Sequence, residues 1–241
     1  MNASETTLAF EHAERLLDPA PLRLEMGIER LANGVLHVAA RTDMHGCSGK
    51  MFDWWFRWFH TTQHYVWWHP VDHVASAWTG WSPGHYVGAT HVVDERLSGE
   101  EIHKIHVHFL DPRALLGAER VAARLAAGDV SAIVCATTGL GAEPPRDAQG
   151  RPIGGRVVHI ARDTEFGCSL RSHFWLGQDL GGVAPPEQLA ALASDELGFG
   201  LLRHAYNEFS FLTRILPALY VAENRERERP ALPWDLPHRS T

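Results

Sequence analysis

Residues 201–225 read LLRHAYNEFSFLTRILPALYVAENR and end a helical pattern that begins near Pro186. At roughly 100° per residue, the apolar side chains of this pattern fall on one stripe. His204 and Glu208 lie on the same stripe, one helical turn apart, and can therefore reach a common point. The full stripe consists of Leu197, Leu201, His204, Glu208, Phe211, Ile215 and Leu219. We therefore expect an imidazole and a carboxylate to point into the core.

A carboxylate that faces the core must have its charge compensated, because burying it unpaired costs several kcal/mol or forces it to take up a proton. An arginine or lysine, a proton or a bound cation could provide this compensation. Neutral imidazole and carboxylate together are good ligands for a divalent metal. A buried hydrogen bond between His204 and Glu208 is the simpler alternative for an isolated pair of this kind.

The composition indicates one large domain with a sizeable core, since the 241 residues are 45% hydrophobic and include nine tryptophans. The net charge of −7 and the lack of clustered lysine and arginine argue against nucleic acid as a partner. Glu5 and Glu11 lie where a secretory signal would be basic and then apolar, and no window offers about 18 apolar residues in a row. We expect a soluble, cytoplasmic protein without membrane contact. Three widely spaced cysteines predict no disulfide framework.

The central part of the chain predicts a sheet that precedes the long helix. Alternating or β-branched segments mark strands at residues 34–42, 85–99, 101–112, 130–138, 155–163 and 167–176. An aromatic helix, MFDWWFRWF, follows the first strand, and Pro70 suits the first turn of a second, short helix. Pro217 should kink or break the last helix near Leu216.

This order of elements predicts an α+β domain in which an antiparallel sheet wraps around the carboxy-terminal helix. We place a single catalytic domain at residues 34–225, an N-terminal extension at residues 1–33 and a proline-rich tail at residues 226–241. The cavity between the concave face of the sheet and the helix would receive His204 and Glu208.

A catalytic zinc ion usually has three protein ligands, so further donors are needed beyond the helix. His69 and His73, four residues apart, are candidates, and so is Glu95, on one strand face with His91 and Val93. His106 and His108 form a competing pair of the kind found on the strands of double-stranded β-helix oxygenases. Only Asp111, and no glutamate, follows that pair closely, and those barrels do not end in a long helix.

Five segments together resemble one known family. MFDWWFRW, HYVWWHPVDH, YVGATHVVDERLSG, RSHFWLG and RHAYNEF occur in this order and are similar to the diacetylphloroglucinol hydrolases and the related phloretin hydrolases. The similarity covers roughly residues 34–219, and the combination is specific although each piece alone is weak. The resemblance implies a helix-grip fold, like that of the birch pollen allergens. It also implies hydrolysis of the carbon–carbon bond between a phenolic ring and an acyl group of a small aryl ketone.

The same resemblance implies one zinc ion per chain, held by two histidines and two glutamates. Carried across residue by residue, the implied ligands are His73, Glu95, His204 and Glu208. His69 is the alternative to His73, and Glu100 or Glu101, which fall in an expected turn, are alternatives to Glu95.

The resemblance also places substrate-binding residues. A tyrosine that binds the phenol corresponds to Tyr65, and a second one corresponds to Phe174, which lacks a hydroxyl group. A family histidine near the ring corresponds to His159, for which a hydrogen-bonded core histidine is an equal alternative. The aromatic surface and proline-rich tail favour a homodimer.

Two other functions are compatible with the sequence. One is a carrier of this fold that binds an aromatic or polyketide ligand without chemistry. The other is an enzyme without a metal, such as a polyketide cyclase. Elemental analysis separates both from a metal-dependent hydrolase, because neither should purify with stoichiometric metal.

Overall fold

One antiparallel sheet organises the molecule. The structure, a computed structural model, describes residues 7–97, 99–181 and 184–225. Within these residues eight strands pair in the order β1-β2-β8-β7-β6-β5-β4-β3, and every neighbouring pair is antiparallel. The strands are β1 (Gly27–Arg30), β2 (Leu36–His45), β3 (His73–Thr79), β4 (Thr90–Glu95), β5 (His103–Leu110), β6 (Ala132–Leu140), β7 (Gly155–Thr164) and β8 (Gly167–Leu176).

The helices lie before, between and after the strands. They are α1 (Gly49–Trp58), α2 (Thr62–Trp68), α3 (Pro112–Leu116), α4 (Ala118–Ala126), α5 (Pro186–Leu192), α6 (Asp195–Leu212) and α7 (Leu216–Glu223), with 3₁₀ helices at Phe10–Leu17 and Gln178–Leu180. None of the helices in these ranges is long and apolar enough to cross a membrane.

The expected helical run from Pro186 to Arg225, with one break near Leu216, is in fact three helices. Ser194 begins α6 by accepting a hydrogen bond from the Leu197 amide, which satisfies a free donor at the new helix start. The predicted break near Leu216 is confirmed, because α6 ends at Leu212 and Pro217 lies in the first turn of α7. Proline is favoured there because it has no amide hydrogen to leave unpaired.

The buried face of α6 is wider than the predicted stripe. His204 and Glu208 are buried, as the stripe predicts. Beyond them Phe209 and Leu212 are fully buried, whereas Phe211 is only half-buried. The difference arises because α6 packs on β2 on one side and on α2 on another.

The interpretation of Pro70 was wrong. Helix α2 begins with a cap from the Thr61 hydroxyl to the His64 amide and ends at Trp68. His69, the residue before proline, adopts an extended conformation, since the proline ring disfavours helical geometry at that position. Pro70 therefore lies in a turn between α2 and β3.

Helix α6 crosses the inner face of the sheet at close range. A Cβ atom built on Gly198 would lie 2.6 Å from Leu36 Cδ2 of β2. The inner face is otherwise filled by aromatic side chains of α1 and α2, which form one apolar cluster with Phe209 and Leu212. A curved antiparallel sheet that holds one long helix is the helix-grip fold, so the predicted α+β class is confirmed.

The outer face of the sheet has its own apolar layer. The 3₁₀ helix Phe10–Leu17 and helices α3 and α4 cover side chains of β6, β7 and β8 there. The predicted N-terminal extension, residues 1–33, therefore contributes an edge strand and part of this layer over its described portion. The predicted tail, residues 226–241, lies outside the described residues.

Candidate metal centre

His73 begins β3 with one ring nitrogen occupied and the other free. Its Nδ1 lies 2.8 Å from the carbonyl oxygen of Tyr65, which can only accept a hydrogen bond, so Nδ1 carries the hydrogen. The lone pair is then on Nε2, which is buried and has no hydrogen-bond partner. The ring also stacks on Tyr65, with centroids 3.7 Å apart and planes 4° apart. His73 is thus held rigidly with an unused acceptor pointing inward.

Glu95 ends β4 directly opposite His73 in the β3–β4 register. One carboxylate oxygen, Oε1, accepts a short hydrogen bond from the Tyr65 hydroxyl. The other, Oε2, lies 3.4 Å from His204 Nε2 of α6. Glu95 therefore connects the sheet to the helix.

Helix α6 brings His204 and Glu208 to the same point. Glu208 Oε2 lies 3.7 Å from His73 Nε2 and 4.0 Å from His204 Nε2. Ligand atoms of His73, His204 and Glu208 all lie within 4.8 Å of one another, and Glu95 joins them through His204. Four side chains from two strands and one helix therefore converge, including both members of the helical pair.

The electrostatics of this cluster favour a cation. Burial raises the pKa of Glu208, and the negative charges of Glu95 and Asp72 raise it further. Burial alone would lower the pKa of His204, but the charges of Glu95, Asp72 and Glu208 outweigh burial and raise it. Burial lowers the pKa of His73 well below its usual value, which keeps its ring neutral. Without an ion, the carboxylates thus keep His204 protonated beside the neutral ring of His73, so this buried cluster favours positive charge.

The donor set fits a divalent metal such as zinc. Zinc binds imidazole nitrogen and carboxylate oxygen, and its catalytic sites keep a position open for water or substrate. The unpartnered Nε2 of His73 supports this fit, because buried polar atoms are rarely left without a partner. In the described part of the chain, the ion-pair partners of Glu95 and Glu208 are histidines rather than arginine or lysine.

The alternative ligands lie outside this group of four, although His69 belongs to an adjacent one, because ligand atoms of His69, Asp72 and His204 also lie within 4.8 Å of one another. The His69 ring stacks parallel to the His204 ring at a centroid distance of 5.1 Å. Its Nε2 lies 3.3 Å from the Asp72 carboxylate, which faces Nδ1 of His204 and not the Nε2 that faces Glu95 and Glu208. The Glu100 side chain is fully exposed and lies 4.0 Å from Arg96. Glu101 is exposed as well. The geometry therefore favours His73 over His69 and Glu95 over the two later glutamates.

The competing pair His106 and His108 lies on the opposite face of the sheet. His106 pairs with Val92 and His108 with Thr90, whereas the inner face of β4 carries His91, Val93 and Glu95. Successive side chains on a strand alternate between faces. This pair therefore cannot share a metal with α6.

His159 and Phe174 lie on the inner face. Among the described residues, no hydrogen bond, ion pair or ring contact joins them to the four candidate ligands. His159 Nδ1 lies 2.8 Å from Ser172 Oγ, and its ring meets Phe174 edge-on at a centroid distance of 5.7 Å. It also contacts Phe209, the helical neighbour of Glu208, at 5.2 Å. Burial lowers the pKa of His159 to about 3, so this ring is neutral at pH 7.

Two polar residues of this region were not anticipated from the sequence. Asp72, which lies 3.2 Å from His204 Nδ1, sits in a proline-containing turn that reads as exposed. Ser172, the partner of His159, is one of several serines and carries no local signal. Only the close spacing in HPVDH could have drawn attention to Asp72.

Comparison with known proteins places the chain in a family. The protein-family model named DAPG hydrolase PhiG domain matches residues 8–221 of this chain. The chain belongs to the DAPG hydrolase family. A 2,4-diacetylphloroglucinol hydrolase from Pseudomonas sp is 26% identical over 90% of this chain and 79% of its own length. A protein of the same name from Pseudomonas protegens is also 26% identical, over 90% of this chain and 75% of its own length.

The solved structures that are similar to this member of the DAPG hydrolase family have lower sequence identity to it. Protein Ms6760 from Mycobacterium smegmatis is 12% identical, with a TM-score of 0.46 over 80% of this chain and 98% of that one. Human STARD10 is 8% identical, with a TM-score of 0.27 over 95% of this chain and 92% of that one.

Proposed function

We propose that this member of the hydrolase family is a metal-dependent enzyme that cleaves the carbon–carbon bond between a phloroglucinol-type ring and an acyl group. The products would be a free phenol and a carboxylic acid. The observation that carries the proposal is the convergence of His73, Glu95, His204 and Glu208 in a chain whose curated relatives are named 2,4-diacetylphloroglucinol hydrolase.

These four side chains would hold one divalent metal, with zinc as the candidate. When bound, such an ion polarises an oxygen and lowers the pKa of a bound water towards about 7. Because Glu208 and His204 lie on one rigid helix and His73 and Glu95 on paired strands, the chain itself fixes the ligands before any ion arrives.

The chemistry explains why a phenol is required. Direct hydrolysis of an aryl ketone would expel an aryl carbanion, which is a very poor leaving group. Protonation of the ring carbon that bears the acyl group avoids this, and the neighbouring phenolic hydroxyls supply the electron density. Water then adds to the acyl carbon and the ring–acyl bond breaks. Its electron pair returns to the ring, and the acyl group leaves as the carboxylic acid.

Tyr65 and His159 would act on the phenolic oxygens. Burial and the nearby charge of Glu95 raise the pKa of Tyr65 well above its usual value, so its hydroxyl keeps its proton. Glu95 Oε1 accepts that hydrogen, so the Tyr65 oxygen would accept a hydrogen bond from a phenolic hydroxyl of the substrate. His159 is neutral at pH 7, so it would hold a phenolic oxygen or relay a proton without starting as an imidazolium. Phe174, in contact with His159, would line the ring site with an apolar edge.

The test is incubation of the zinc-loaded protein with 2,4-diacetylphloroglucinol, other acylphloroglucinols and dihydrochalcones such as phloretin. Mass spectrometry should detect equal amounts of a free phenol and a carboxylic acid. Glu208→Gln should lose turnover and should release its metal during dialysis, because a neutral amide is a weak ligand. Glu187→Gln, an exposed change on α5, should retain both properties. Full activity of Glu208→Gln, or binding of these phenols without any products, would contradict the proposal.

A further inference from the structure

Asp72 lies behind His204, on the side away from the candidate metal centre. Its Oδ2 is 3.2 Å from His204 Nδ1, whereas His204 Nε2 faces Glu95 and Glu208. Asp72 is only 6% exposed, so this buried carboxylate needs a compensating partner. The proposed ligand set does not use it.

The turn that holds Asp72 is rigid. The Asp72 carbonyl accepts a hydrogen bond from the Arg96 amide at 3.0 Å, and the His73 amide donates to the His69 carbonyl at 3.1 Å. The Asp72 carboxylate is therefore fixed relative to β4 and to the start of β3.

His69 supports the same carboxylate from the other side. The Asp72 amide donates to His69 Nδ1 at 3.0 Å, so the hydrogen of a neutral His69 ring is on Nε2. That nitrogen lies 3.3 Å from Asp72 Oδ2, and the ring is parallel to His204. His69 Nε2 makes no hydrogen bond to that oxygen, so His204 Nδ1 is the ring nitrogen bonded to Asp72 Oδ2, and His69 acts on Asp72 through the Asp72 backbone amide.

We propose that Asp72, braced by His69, holds His204 in the tautomer with the hydrogen on Nδ1. A neutral imidazole has one N–H and one lone pair, so this arrangement leaves the lone pair on Nε2, where the metal would bind. Asp72 is then a positioning residue that acts through His204. Carboxylates behind ligating histidines fix ring orientation and raise ligand basicity in this way. The inference rests on the proposed function, because it presumes a metal at Nε2.

The test replaces Asp72 with asparagine, which has nearly the same shape. The asparagine amide can donate to His204 Nδ1 and so favours the opposite tautomer, whose Nε2 carries a hydrogen and cannot bind a metal. We expect zinc affinity, measured by competition with a chromophoric chelator, to fall by about 10- to 100-fold. Asp43→Asn, an exposed change on β2, should leave the affinity unchanged.

The tautomer can also be observed directly. Long-range ¹H–¹⁵N spectra of the zinc-loaded wild-type protein should show His204 protonated at Nδ1, and this measurement remains decisive if Asp72→Asn does not fold. Wild-type zinc affinity in Asp72→Asn, or a wild-type His204 protonated at Nε2, would overturn the inference alone. A wild-type chain that binds no divalent metal would instead overturn the proposed function.

Discussion

We propose that Phe174 sets substrate preference through the hydroxyl group that it lacks. Its partly buried ring lies on the inner face of β8 beside His159. The family resemblance implies a second phenol-binding tyrosine at this position. This chain has phenylalanine there, whose ring presents an apolar edge without a hydroxyl group. A phenol with a hydroxyl at this edge would lose one hydrogen bond here.

Phe174→Tyr should therefore shift the substrate range towards more highly hydroxylated rings. One recovered hydrogen bond corresponds to about 1 kcal/mol, or roughly a fivefold change in the ratio of kcat/KM between two phenols that differ by one hydroxyl. Steady-state kinetics on such a pair provide the measurement. Phe166→Tyr, at an exposed position, is the matched control and should not change the ratio. An unchanged ratio in Phe174→Tyr would exclude this residue from the ring site.

Among the elements, α6 is the most important for the candidate site, because its packing against β2 determines where His204 and Glu208 point. Gly198 permits the close approach, since an added Cβ would lie 2.6 Å from Leu36 Cδ2 and 3.4 Å from Ile28 Cγ2. A methyl group at this position must therefore move Leu36, which is fully buried. Overpacking of this kind outweighs the better helix propensity of alanine.

Gly198→Ala should lower the free energy of unfolding by about 1–2 kcal/mol, even though alanine favours helices. Because the contact is with one methyl group of Leu36, the variant Leu36→Val should relieve part of it. A double-mutant cycle by urea unfolding should give a favourable coupling energy of about 0.5 kcal/mol or more between the two changes. Strict additivity would show that the helix does not approach β2 as closely as described.

Across the whole molecule, several buried histidines are kept neutral. Burial lowers the pKa of His91 and of His159 to about 3, and burial with the positive charge of Arg23 lowers that of His37 to about 4. In the unfolded chain each would titrate near 6.5. Below that pH the unfolded state binds more protons than the folded state, so folding becomes less favourable as the pH falls.

The metal-free protein should therefore lose stability steeply between pH 6.5 and pH 4. Each of these histidines contributes up to roughly 1.4 kcal/mol per pH unit within that window. Urea unfolding in the presence of a chelator measures the slope. His91→Gln, which keeps a polar partner for Ser76 but cannot titrate, should reduce the slope by about one proton. A free energy of unfolding that stays flat down to pH 4 would refute this account.

Local sequence patterns predicted the elements well where the pattern was strong. Six of the eight strands, the aromatic helix α1 and the break before Pro217 follow from alternation, helical spacing and proline chemistry. Strand β1 was missed within the expected N-terminal extension, and β3 was missed because Pro70 was interpreted as the start of a helix. The boundary between α5 and α6 was missed, because the apolar spacing continues through Ala193 while the Ser194 cap starts a new helix. Helices α3 and α4 were also missed; they are short, at five and nine residues, and a glycine separates them.

For the candidate site, the sequence supplied the pair on α6 and, through family resemblance, the other proposed ligands. It could not choose between His69 and His73, since both lie close together in one segment. The structure separates them by direction, because His73 Nε2 faces Glu208 whereas His69 Nε2 faces Asp72. Asp72 itself could not be found, because the burial of a turn depends on what packs over it.

By itself, the sequence determined that a histidine and a glutamate lie on the buried side of the closing helix, because helical periodicity is a local property of the chain. It also determined the α+β class, through the order of strands and helix, and the family resemblance implied the helix-grip fold. Only the tertiary structure decided which atoms meet. The antiparallel register of β3 and β4 places Glu95 opposite His73. The close packing of α6 against β2 places His204 between Asp72 and Glu95. Such convergence depends on contacts between residues far apart in the chain, which no local pattern encodes.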